Sequence, residues 1–111
     1  MKPTCQYSDM QCPFQGLLNL LSGSWTSYIL WLLHEHGDLR FGELRKHMPG
    51  LSAKVLTERL RRLEGAELIS RHAEATIPPK VTYKLTRRGH ELQGPLDRLN
   101  ELATAWAMVP A

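Results

Sequence analysis

The segment PGLSAKVLTERLRRLEG, residues 49–65, restricts the fold of this chain more than any other stretch. Pro49-Gly50 makes a tight turn, and Ser52 stands where a helix N-cap belongs. Leu56, Leu60 and Leu63 then run along one side of a helix with Val55 beside them, and Gly65 falls near its end. Beyond it the apolar period shifts towards two: Ile69, Arg71, Ala73 and Ala75 alternate in one strand, and Val81, Tyr83 and Leu85 in a second. Pro78-Pro79 between them supplies no backbone donor and forces an extended turn, so the two strands read as a hairpin.

Upstream, Pro13 followed by Phe14, Leu17, Leu18 and Leu21 has the spacing of an amphipathic helix with proline at the favoured first position, ended by Gly23. Ser24 can cap the next helix, which carries Trp25, Tyr28, Ile29, Leu32 and Leu33 on one stripe and Leu30 and Trp31 on the other side. A helix apolar nearly all round belongs at the centre of its fold. Gly37 is its natural terminator. Phe41, Leu44 and Met48 mark a short third helix before the Pro49-Gly50 turn. Downstream, Thr86 can cap a last helix whose stripe of Leu92, Leu96, Leu99, Ala103 and Trp106 suits a helix–helix seam. Pro95 inside that helix removes a backbone hydrogen bond and should bend or divide it.

A chain of 111 residues with 42% hydrophobic and 23% charged residues has the profile of one compact domain, small enough that dimerisation would help it. The longest apolar run, Tyr28 to Leu33, is far below the roughly 18 residues that cross a bilayer, and the N-terminus lacks the pattern of a leader, so a soluble, cytoplasmic protein with no membrane partner is expected. Cys5 and Cys12 are too few for a disulfide scaffold, and their spacing fits neither a zinc knuckle nor a Cys-x-x-Cys pair. Free thiols are the expectation.

The net charge of +3 hides an uneven distribution: residues 40–62 carry +5 and residues 71–88 carry +4, while the flanks and the acidic pair Glu64 and Glu67 carry −2 each. Two basic blocks between acidic flanks point to one cationic face with a polyanionic partner.

Helix, helix, short helix, turn, helix, hairpin, helix is the order of a winged helix-turn-helix domain with an added C-terminal helix. The expected fold class is mainly α with a two-stranded β-hairpin. Residues 1–12 are expected to be an N-terminal tail. Residues 13–111 are one domain, with a recognition helix at 52–65, a wing at 68–86 and a C-terminal helix at 87–108. In such folds the helix after the turn enters the DNA major groove and the hairpin reaches along the backbone or into the minor groove. The two basic blocks fall on these two elements.

The stretches 12-CP-13, 23-GSWTSYILWLL-33, 39-LRFGELRKHMPGLSAKVLTERLRRLEGAELISR-71 and 78-PPKVTYKLTRRGHEL-92 resemble the HxlR-type winged helix-turn-helix transcription regulators over most of the chain. The resemblance implies a homodimer, with the first and last helices making the interface, and a role in repressing or activating nearby genes. Phe14, Leu17, Leu18, Leu21, Leu92, Leu96, Leu99, Ala103 and Trp106 are then the interface candidates.

With Leu56, Leu60 and Leu63 turned inward, helix geometry turns Ala53, Lys54, Thr57, Glu58 and Arg61 outward. Lys54, Thr57 and Arg61 are therefore expected at or near base edges of double-stranded DNA, because a guanidinium can bond both guanine acceptors. Ser52 and Arg62 are expected at phosphate, with Arg40 and Lys46 flanking the duplex and Arg71, His72 and Lys80 on the backbone from the hairpin. The plainer readings are that Ser52 is a cap and that Arg59 and Arg62 pair with Glu58, Glu64 or other neighbours.

Cys12 precedes Pro13 at the N-cap position, where the positive end of a helix dipole stabilises a thiolate. Redox or electrophile sensing is chemically open to it, with Cys5 as a resolving thiol, and some members of the resembled family sense through a cysteine in this region. The alternative is a small capping residue. An oxidant or small-molecule effector is the matching partner.

Two rival functions stand beside this reading. For an enzyme, His34 and His36 diverge on a helix, His47, His72 and His90 lie on separate elements, and no phosphate loop or nucleophile motif occurs, so no catalytic residue, metal or cofactor is expected. The other rival is a winged-helix protein-interaction module without DNA binding, which the fold alone permits. It would not require both basic blocks on one face.

Overall fold

A computed structural model describes residues 12–23 and 25–108 of the chain. The helices are α1 (Pro13–Leu21), α2 (Thr26–His36), α3 (Phe41–Lys46), α4 (Ala53–Gly65), α5 (Arg87–Glu91) and α6 (Gln93–Ala105), and the strands β1 (Leu39–Arg40), β2 (Ile69–Glu74) and β3 (Lys80–Leu85). The sheet is antiparallel in the order β1-β3-β2, so the expected hairpin gains a third strand. Leu39 faces Tyr83 and Arg40 faces Thr82 in that extra pairing. Two residues are too short to show a period, which is why β1 leaves no trace in the apolar pattern.

The core forms around α2, as its nearly all-round apolar surface predicts. Ile29, Leu30 and Leu32 are fully buried, and Leu44 of α3, Leu56, Leu60 and Leu63 of α4, Ile69 of β2 and Tyr83 and Leu85 of β3 close over them. Pro13 does take the first position of α1, behind Cys12 as N-cap. Trp25 occupies the N-cap position of α2 with a left-handed backbone, φ 69°. The expected cap, Ser24, lies outside the described residues. Trp25, Tyr28 and Trp31 form an aromatic row along α2, with ring centroids 5.5 and 5.7 Å apart.

The C-terminal segment is two helices, not one. Thr86 caps the short α5, its hydroxyl accepting the Gly89 N–H. The chain then breaks at Leu92, and Pro95 falls in the first turn of α6, where its missing N–H has no helical partner to lose. The division therefore comes three residues before the proline rather than at it.

The junction of α4, β2 and α5 is held by several short contacts. Glu67, not Gly65, takes the left-handed position that ends α4 (φ 62°), and the Leu68 N–H returns to the Leu63 carbonyl. Thr86 donates its hydroxyl to the Glu67 carbonyl and its N–H to that of Leu68, while Arg88 bonds the Ala66 carbonyl at 2.9 Å and pairs with Glu67. Gly89 packs so closely here that a Cβ would overlap the Leu68 carbonyl oxygen and meet Leu85 Cδ2 at 2.9 Å. Gly89→Ala is therefore expected to lower stability by about 1–3 kcal/mol in urea unfolding, with an unchanged denaturant slope. A variant as stable as the parent would show that this junction yields without cost.

Candidate nucleic-acid interface

The buried row Leu56, Leu60 and Leu63 fixes the rotation of α4 and so divides its polar residues among three directions. Outermost stand Lys54 and Glu58, with Arg61 beside them on the hairpin side and Ala53 in the first turn, all exposed. Ser52 caps the helix, its Oγ accepting the Val55 N–H at 3.1 Å, and the hydroxyl proton remains available to a phosphate. Thr57 is half-buried and donates its hydroxyl to the Ala53 carbonyl at 2.8 Å, which leaves its oxygen as an acceptor.

Towards α1, the arginines serve the fold. Arg62 reaches across to the Asn19 carbonyl in the last turn of α1, 3.3 Å away, so its observed partner is protein backbone on the α1 flank. Arg59 packs beside Gly23, where a Cβ would stand 3.1 Å from its Nε. The Arg62 placement does not follow from pairing with Glu58 or Glu64.

Towards the hairpin, Thr57, Arg61 and Glu64 line a cleft of about 590 Å³ with Phe41, Arg71, Val81 and Tyr83. Strand alternation explains the company Arg71 keeps: Ile69, Arg71 and Ala73 stand opposite Leu85, Tyr83 and Val81 on the sheet face that meets α4. His72 lies on the other face, beside Thr82 and, across it, Arg40, and its ring hydrogen-bonds Ser70 Oγ at 3.0 Å. Lys80, paired with Glu74, shares that outer face with Lys84, which reaches Asp38 at 3.9 Å. Lys46 is exposed in the last turn of α3. Of the residues expected at DNA, then, the fold gathers Ser52, Lys54, Thr57, Arg61 and Arg71 around α4 and its cleft, and sets Arg40, His72 and Lys80 on the outer side of the sheet. Phe41, Val81 and Tyr83 join the site unexpectedly, although the two-residue period already puts Val81 and Tyr83 on one face.

The helices expected to form an interface present apolar surface to solvent. Phe14 is 64% exposed on α1, Leu99 61% on α6 and Trp106 67% just beyond it. Leu18 is also exposed, Leu17, Leu21 and Ala103 are half-buried, and Leu92 and Leu96 pack partly against the core. Tyr28, Trp31, Leu96, Leu99 and Ala103 line an open groove of about 380 Å³ between α2 and α6.

Cys12 departs from expectation. It is disulfide-bonded, not a free thiol, and sits 5% exposed at the start of α1. The chain's other cysteine, Cys5, lies outside the described residues. Among the described residues no three metal-ligating side chains cluster, and no helix is long and apolar enough to cross a membrane.

A helix pinned behind a tight turn and flanked by a β-wing defines a winged helix-turn-helix protein. The chain belongs to the HxlR family, for the HxlR-like helix-turn-helix pattern matches residues 20–110. It is 41% identical over 95 residues to sll1512 of Synechocystis sp., an uncharacterised HTH-type transcriptional regulator, covering 86% of this chain and 70% of that one. The reduced form of the transcriptional regulator YodB from B. subtilis superposes with a TM-score of 0.76 at 32% identity, over 92% of this chain and 100% of that one. The redox regulator HypR in its reduced form gives 0.79 at 29% identity, over 84% and 91%. This protein is thus a helix-turn-helix transcriptional regulator.

Proposed function

We propose that the chain works as a homodimer that binds specific sequences in double-stranded DNA, with α4 in the major groove and the hairpin beside it, and that oxidation at Cys12 changes that binding. The observation that carries the DNA reading is the sorting of charge around α4. Arg59 and Arg62 turn to the α1 side, while Lys54, Thr57, Arg61 and Arg71 are left together on the face beyond the turn. Lys54 and Thr57, in the first half of α4, are the base-proximal residues, and Ser52 and Lys46 lie at the phosphates around them. Arg40, His72 and Lys80 reach backbone only where the duplex bends around the wing.

Binding to duplex DNA is expected to weaken linearly in log salt, and Lys54→Ala is expected to reduce both the affinity and that slope. Anisotropy titrations at several salt concentrations measure this. No binding to any duplex at low salt would favour the protein-interaction module instead.

Dimerisation is supported by the exposed apolar residues of α1 and α6, and the α6 face borders the Tyr28–Trp31 groove, which offers a second copy a place to dock. Leu99→Asp places a charge in that surface without touching the core. Sedimentation equilibrium is expected to show a dimer for the parent and a monomer for the variant, with DNA affinity lost in parallel because two half-sites can no longer be held together. A variant that remains dimeric moves the interface elsewhere.

For redox control, two thiols joined as a disulfide release two protons and two electrons, which a peroxide or a diamide-type azo compound accepts. Cys12 is the N-cap of α1, and the positive end of a helix favours the thiolate that reacts once the sulfur is reduced. The solved relatives YodB, in reduced and diamide-treated forms, and HypR, in reduced and oxidised forms, lend this reading support. Because α1 also carries Phe14 and Leu18, a change at its N-cap bears on the dimer. Cys12→Ser is expected to bind DNA alike before and after diamide, unlike the parent. The same response in both proteins would remove Cys12 from the mechanism.

A further inference from the structure

We infer that the cleft between α4 and the hairpin is a phosphate clamp, in which Arg61 and Arg71 together grip the sugar-phosphate strand and Arg61 does not read a base. The inference rests on the DNA-binding reading and specifies one part of it. Arg61 comes from α4 and Arg71 from β2, ten residues apart in sequence, yet both line the same cleft. Neither forms an ion pair or a side-chain hydrogen bond among the described residues, whereas Arg62, Arg88 and Arg98 each have a partner. Two guanidinium groups left uncompensated in one recess repel each other unless an anion joins them. A phosphate, with oxygens on several sides, can accept from both forks at once.

The rest of the lining fits the same guest. Phe41, Val81 and Tyr83 add apolar surface to the same lining, and reduced hydration beside such surface strengthens a guanidinium–phosphate contact. Thr57 stands beside it with an acceptor oxygen, its proton already bonded to Ala53, so it contributes shape rather than a donor. Among the described residues Glu64 is the one carboxylate in the lining, and it stays beyond 4 Å of either guanidinium. Glu64 and Arg71 also line a neighbouring recess with Glu67, Ser70 and Arg87, so the carboxylate shares the cleft with the arginines and repels phosphate there. Duplex geometry supplies the occupant. Major and minor grooves are separated by a single backbone strand, so a protein with a helix in one and a hairpin at the next must straddle that strand, and this cleft is the space between the two elements.

The test uses a duplex selected from a random pool by the parent protein, together with its shuffled counterpart, and compares the parent with Arg61→Ala, Arg71→Ala and Glu64→Gln over a range of salt. Both arginines are exposed, so circular dichroism should show unchanged folding. Because a dimer carries each substitution twice, each arginine variant is expected to weaken binding about a hundredfold on both duplexes, to leave their affinity ratio as in the parent, and to lower the log–log salt slope by about 1.8. Glu64→Gln is expected to tighten binding on both. Loss confined to the selected duplex in Arg61→Ala, with an unchanged slope, would return Arg61 to base reading and overturn the clamp while leaving the DNA-binding function intact. A parent protein that selects no duplex would overturn both.

Discussion

The seating of Leu56, Leu60 and Leu63 in the core around α2 is the packing on which the rest of the site depends. All three are essentially excluded from water, and moving any one outward would expose apolar surface worth about 1.5–3 kcal/mol. That cost locks the rotation of α4. A helix so locked has no freedom in where its other residues point, and steps of about 100° carry Arg59 and Arg62 to one flank, Thr57, Arg61 and Glu64 to the other, and Lys54 and Glu58 between them. The functional face is therefore a by-product of core packing, not a separately built feature.

The position of the wing follows from a second anchor. At the end of α4, Thr86 and Arg88 satisfy the Glu67, Leu68 and Ala66 carbonyls, and Gly89 lets α5 sit directly on that backbone. Because β3 runs straight into this junction and β2 straight out of it, the hairpin cannot swing away from α4. Arg71 and Arg61 thereby share one recess, although they belong to different elements.

Much of this is readable in the sequence, and the reasons for the rest are specific. Caps, turns and periods are local signals, so Ser52, Thr86, the apolar rows and the hairpin can be placed from the residues alone. Arg62 cannot, because its partner is a backbone carbonyl 43 residues away whose position depends on how α1 crosses α4. β1 is too short to carry a period, and it forms because β3 offers it an open edge at Thr82 and Tyr83. The Cys12 disulfide is not legible either, because two cysteines in 111 residues give no framework to recognise. The division of Arg71 from His72 lies in the strand alternation itself, but its meaning emerges only once α4 is seen to cover one face.

The central claim is that packing sorts the arginines of one basic run into those that hold the fold and those that meet DNA. Nuclear magnetic resonance of the arginine side-chain Nε–H groups, recorded while a selected duplex is added, addresses it most directly. The account predicts large shifts for Arg61 and Arg71, and little change for Arg59, Arg62 and Arg88. Shifts concentrated on Arg59 and Arg62, with Arg61 and Arg71 unmoved, would contradict it.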